Sequence, residues 1–154
     1  MQFFEDIKEG EEYPMANWPL HTTVADIFAV DLMGTHFIEH LEILLKDVPP
    51  ITTTVGDDNY FGPNADVHVA LIKNTPDLQI LHDGIVSLLE LSGAKFNNPE
   101  FIHKGFLPHS TVQKHGRMNK DDTVTFDALS IIDMFPGGDW QQRKVLKTIK
   151  LRGK

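Results

Sequence analysis

The sequence predicts an α+β fold in which two helices cover one face of an antiparallel sheet and leave the other face open. Three observations carry that expectation. Helical apolar spacing occurs in two stretches, around 35–48 and 75–92. The remaining apolar segments are short, and they either alternate or are β-branched. The elements follow in the order strand, helix, two strands, helix, three strands, which suits helices gathered on one side of a sheet. At 154 residues the chain suffices for one domain with a real core, taken as 1–154.

Residues 1–17 are acidic and turn-rich, with Glu9-Gly10-Glu11-Glu12 and Tyr13-Pro14, and read as an irregular lead-in. A strand is expected at about 19–26. Gly34-Thr35 opens a helix through Val48, with Thr35 as its N-cap. Phe37, Leu41, Leu44, Leu45 and Val48 form its apolar face, and Pro49-Pro50 ends it. Ile51 to Val55 is β-branched throughout and reads as a strand, broken at Gly56-Asp57-Asp58-Asn59. Gly62-Pro63-Asn64 is a further turn, and Val67 to Ile72 a further strand.

Thr75-Pro76-Asp77 combines a cap, a first-turn proline and a carboxylate suited to the helix dipole. Leu78, Leu81, Ile85, Leu88 and Leu89 give that helix its buried stripe, and Gly93 stops it. A loop through Asn97-Asn98-Pro99 leads to a strand at about 105–113. A long strand follows from Thr123 to Met134, then a turn at Pro136 to Asp139, then a last strand from Lys144 to Leu151.

Net charge is −8, which argues against clamping long duplex nucleic acid by phosphate neutralisation, although a few local cations could hold a small anion or an RNA end. No apolar run approaches a membrane span, and Met1 to Asp6 lacks a basic region followed by an apolar one. The expectation is no membrane partner, no signal peptide and no anchor. With no cysteine there is no disulfide framework, thiol nucleophile or cysteine zinc site, which fits a cytoplasmic location. A monomer is expected.

Two segments repeat one pattern: Leu20-His21-Thr22-Thr23-Val24 and Pro108-His109-Ser110-Thr111-Val112. Each is a His, a spacer and a Thr, closed by Val and preceded by Pro-Leu or Leu-Pro. Strand side chains alternate faces, so His21 projects with Thr23, and His109 with Thr111. If the two strands neighbour each other, two imidazoles titrating near neutrality and two hydroxyls converge on one patch. Acid–base chemistry at a phosphodiester needs those groups. One His-x-Thr carries no weight, but two with matched flanks, one in each half of a weak internal duplication, are far more specific than strand residues present for β-propensity alone.

The pair resembles the two signature motifs of the 2H phosphoesterase superfamily, whose best-known branch is the 2′–5′ RNA ligase-like, or RNA 2′,3′-cyclic phosphodiesterase, proteins. Length, helix placement, motif separation and the β-rich C-terminal part fit from about Trp18 onward. The resemblance implies a bilobal, pseudo-twofold antiparallel sheet, two main helices on its outer face, a central groove lined by both motifs, and metal-independent chemistry. The expected catalytic residues are His21, Thr23, His109 and Thr111. One neutral imidazole takes a proton from the attacking water, and the other, protonated, donates to the departing ribose oxygen.

Lys114, His115 and Arg117 follow the second motif, and Lys114 and Arg117 are expected as anion contacts. Phe28, Tyr60 and Phe61 are candidates either for the core or to stack on a base. His68 could face the groove or be solvated. His36 and His40 stand four apart on the first helix, but the order is not His-Glu-x-x-His and no third ligand is evident, so neither metal nor cofactor is assigned. The expected activity is hydrolysis of a cyclic phosphate or 2′-linked phosphodiester in a nucleotide or RNA end, with reversible 2′–5′ ligation conceivable at the same site. The alternatives are a cyclic oligonucleotide signal or ADP-ribose cyclic phosphate as substrate, or a nucleotide-binding module without turnover.

Overall fold

The computed structural model describes residues 1–31 and 36–154. Its strands begin with β1 (Gln2–Phe3), β2 (Glu12–Pro14), β3 (His21–Thr22), β4 (Phe28–Ala29) and β5 (Ile51–Phe61). They continue with β6 (Val67–Ile72), β7 (Lys95–Phe96), β8 (His109–Thr111), β9 (Thr123–Phe126), β10 (Ala128–Asp133) and β11 (Gln142–Lys150). The helices are α1 (Phe37–Leu45) and α2 (Pro76–Leu91).

Two strand systems meet where the His-x-Thr segments lie. In one, β8, β6, β5 and β9 pair antiparallel in that spatial order. In the other, β3 pairs with β1, and β10, β11 and β2 form a three-stranded sheet. Met1 and Ser130 exchange main-chain hydrogen bonds and join β1 to β10. The strands β3 and β8 pack against each other at the junction. The result is an α+β fold of two curled antiparallel halves.

The four-stranded sheet is amphipathic as its alternation requires. Ile51, Val55, Ala70, Ile72, Val124 and Phe126 face the helices and are buried. The helices meet them with Phe37, Leu41 and Leu45 of α1 and Leu78, Leu81, Ile85 and Leu89 of α2. Thr75 caps α2, its hydroxyl accepting from the Leu78 N–H at 3.2 Å, with Pro76 in the first turn. Gly93 follows α2 with φ +83°, a conformation that costs glycine least. A second, smaller cluster of Phe3, Tyr13 and Val145, with Trp18 and Ile132 against it, lies under the first motif.

Several expected elements are shorter or interrupted, each for a local reason. The strand expected at 19–26 is cut to His21–Thr22, because the Val24 carbonyl is taken by the His82 ring at 2.6 Å rather than by a strand. The strand expected from 123 to 134 divides at Asp127, where the Gln2 side chain accepts from the Asp127 and Ala128 N–H groups. The expected break at Gly56–Asn59 is a β-bulge, and β5 runs through it with a register shift between Val55 and Asp58. The lead-in at 1–17 supplies β1 and β2, which borrow hydrogen bonds from β3 and β11. The expected strand at 105–113 is confined to β8, after a 3₁₀ turn at His103–Gly105. The short pair β4–β7 has no signal in the sequence. The expected Thr35 cap lies outside the described residues; α1 itself spans nine residues and ends at Leu45. Among the described residues no helix is long and apolar enough to cross a membrane.

Candidate active site

The two motifs hold their imidazoles in the same way. His21 Nδ1 lies 2.7 Å from the Pro19 carbonyl, and His109 Nδ1 lies 2.8 Å from the Leu107 carbonyl, in each case two residues back. A carbonyl oxygen can only accept, so Nδ1 carries the proton in both rings. Each neutral ring therefore leaves Nε2 as its basic nitrogen, and each protonated ring presents Nε2–H as its acid. Proline at 19 and 108 fits this hook, since it needs no strand hydrogen bond from its own nitrogen.

Register fixes the face. His109 pairs with Leu71 and Thr111 with Val69, so both motif side chains project from the side of the sheet opposite the helices. Ser110 pairs with Ala70 on the helix side and is buried. Thr22, its counterpart, is also buried, so the spacer residue points inward in both motifs. The histidines are close enough to influence each other's charge.

Their surroundings differ. His21 is only 8% exposed, stacked on Trp18 with centroids 4.5 Å apart and a 24° tilt, and it approaches Phe3 at 5.7 Å. His109 is half-buried and meets the edge of Phe61 at 4.7 Å. Desolvation lowers both imidazoles below their ordinary range, His21 to about 4. For His21 the Pro19 carbonyl opposes that shift, while a proton on His109 adds to it.

A third histidine ties the approaches to the motifs together. His82 on α2 is fully buried; its Nδ1–H donates to the Val24 carbonyl at 2.6 Å, and its Nε2 accepts from the His103 N–H at 2.9 Å. Val24 directly follows Thr23, and His103 stands in the turn that leads to Pro108. The ring stacks flat on Phe106 at 3.9 Å and 2°. Both nitrogens are committed in a single tautomer, and desolvation lowers the pKa, so the clamp works as a neutral imidazole. His103 is in turn held by Asp83 and Glu90, each at 3.2 Å, which raises its own pKa.

The expected substrate contacts are dispersed. Lys114 is exposed in the loop after β8. Arg117 forks onto Asp58, whose carboxyl also takes His68 Nε2 at 2.7 Å. Those two partners hold Asp58 down at about 2. Tyr60 pairs with His68 and stacks on it at 4.7 Å, on the helix side of the sheet and away from His109. The bulge explains this. Before it, Thr52 and Thr54 face the open side; after it, Asn59 and Phe61 do, and Tyr60 is turned away. Phe61, not Tyr60, is the aromatic beside His109. Phe28 is likewise not brought to the motifs, packing on Phe37 and Phe96 at 5.9 and 6.1 Å against the core.

Sequence reasoning misses Trp18, which stacks on His21. The only signal for Trp18 is its position three residues before His21. Of the candidates Tyr60 and Phe61, the bulge turns Phe61 toward His109, a choice that simple alternation cannot make. His36, at the N-cap of α1, and His40 on α1 are exposed, with His36 3.7 Å from Glu39. Among the described residues no three His, Cys, Asp or Glu side chains converge as metal ligands.

Comparison with known proteins bears on the fold and the family. No curated protein sequence matches the chain. Two similar solved structures are TT0787 of Thermus thermophilus and a protein described as a phosphoesterase. The first is 20% identical with a TM-score of 0.56, over 93% of this chain and 84% of that one. The second is 20% identical with a TM-score of 0.56, over 90% of this chain and 80% of that one. At that identity they show a shared fold. The model of the 2′-5′ RNA ligase superfamily matches residues 2–131, which include both His-x-Thr segments, and the chain belongs to that superfamily.

Proposed function

We propose that the protein is a phosphodiesterase that needs no metal and cleaves a cyclic phosphate or 2′-linked phosphodiester of a nucleotide or RNA end by two-histidine acid–base catalysis. The observation that carries this reading is the matched Nδ1 hook, which leaves two Nε2 atoms on neighbouring strands as the reactive nitrogens. Water attacks phosphorus as one neutral imidazole takes its proton. The bond from phosphorus to the ribose oxygen breaks as the other imidazolium donates its proton to that oxygen. Each transfer contributes about 10²–10⁴-fold. Thr23 and Thr111 supply hydroxyls to the non-bridging oxygens as charge grows there. With a ribose hydroxyl in place of water the same steps run as 2′–5′ ligation.

A small substrate is favoured over a duplex by the acidic net charge and by the commitment of Arg117 to Asp58. The test is incubation of the protein, with EDTA present, with 2′,3′-cyclic nucleotides, 2′–5′ dinucleotides, cyclic dinucleotides and ADP-ribose cyclic phosphate. Turnover of a 2′,3′-cyclic or 2′–5′ substrate in EDTA is expected. Activity abolished by EDTA and restored by one divalent ion would overturn the mechanism, because a metal on Nε2 occupies the lone pair that must take the proton.

A further inference from the structure

We propose that Trp18, held by Arg143, is a positioning residue that makes His21 the base and leaves His109 as the acid, giving a pseudo-symmetric groove a fixed polarity. This rests on the phosphodiesterase reading above. It goes beyond it by stating which way the substrate lies, with the attacking water at His21 and the departing ribose oxygen at His109.

The two histidines match in backbone hook and in face, so their difference lies in what covers the ring. The Trp18 indole stacks on the His21 ring, and Phe3 comes against it from β1. His109 has no stacked ring among the described residues, only the edge of Phe61. Stacking removes the water that would solvate an imidazolium, so the covered ring favours its neutral form.

Arg143 sets the stack in place. It is 7% exposed, and its Nη1 donates to the Met134, Trp140 and Gln142 carbonyls at 3.0, 2.6 and 2.8 Å. Its guanidinium lies 5.3 Å from the Trp18 centroid.

The other ionisable groups facing His21 do not reverse this. Tyr13 is raised to about 12 by burial and stays neutral. The Met1 amino group and His109 both oppose a charge on His21. Glu5, the nearby acid, is spent on His115 at 2.9 Å and on the Leu20 N–H. When the pair holds a single proton, these contacts place it on His109.

The experiment combines histidine ring titration by NMR with pH–rate profiles on a 2′,3′-cyclic nucleotide, for wild type, Trp18→Phe, Trp18→Leu and Arg143→Gln. In the wild type His21 should titrate below His109. Trp18→Leu should move His21 upward by about one unit, the usual size of an environmental shift. The acid limb of kcat/KM should move with it while the alkaline limb stays, and Trp18→Phe, which keeps an aromatic cover, should restore most of the difference. Wild-type His21 titrating at or above His109 would overturn the proposal even if every variant failed to fold. So would a Trp18 variant that moved the alkaline limb instead. The expected titration order without turnover on any substrate would overturn the function and the role assignment together, and would leave only the effect of the stack on His21.

Discussion

At the scale of single residues, a backbone carbonyl selects which imidazole nitrogen stays free. The Pro19 and Leu107 oxygens each accept one imidazole N–H, and in the proposed reaction Nε2 moves the protons. Thr23→Ala and Thr111→Ala should each lower kcat on the order of 10²–10³-fold, the usual loss of one oxyanion contact, with the fold unchanged by circular dichroism. The shared face of His109 and Thr111 was legible from strand alternation, whereas β3 ends at Thr22 and so does not itself place Thr23. The partners of Arg117 and Tyr60 were not legible. A long side chain takes whichever carboxylate the tertiary fold brings near, and Asp58 is 59 residues away in the chain. Of the two neighbouring aromatic candidates, one extra residue in β5 brings Phe61 and not Tyr60 to His109.

At the scale of elements, α2 does more than cover the sheet. Through His82 it holds the loop after β3 and the turn before β8, so one side chain constrains both motif strands. His82→Phe should keep the stack on Phe106 while orphaning the Val24 carbonyl and the His103 N–H. Each buried orphan costs about 1–3 kcal/mol. Urea denaturation should show a loss in that range or above it, and a neutral effect would contradict the clamp. The boundaries of α2 were legible because Thr75, Pro76 and Gly93 are local signals. The clamp was not, since a His inside an apolar stripe gives no hint of carbonyls 58 residues away. The pair β4–β7 escaped for a similar reason: two residues are too few for a period to show.

For the whole molecule, the fold joins two strand systems so that each contributes one histidine, and it buries neutral imidazoles to do so. His21, His82 and His109 all have pKa values below the unfolded one. Between the folded value, about 4 for His21, and about 6.5 the unfolded chain binds more protons, so stability rises with pH through that window. The stabilisation is complete above about 6.5 and is lost on acidification, on the order of 3 kcal/mol for His21 alone. His103 has the opposite sign, but it is well exposed and its ion pairs are screened. Urea midpoints should therefore fall as pH drops from about 6.5 to about 4.5, and a flat profile would contradict the buried neutral state. The two-layer arrangement was legible from segment order and apolar period. The joining of β1 to β10 was not, because it is a long-range pairing of edge strands. The claim that the two halves act as one catalytic unit is tested most directly by kcat/KM for wild type, His21→Ala, His109→Ala and the double variant on one cyclic phosphate substrate. Each single variant should lose about 10²–10⁴-fold, and the double variant little more than the worse single, as for residues that work together. A single variant with near-wild-type turnover, or losses that simply multiply, would contradict it.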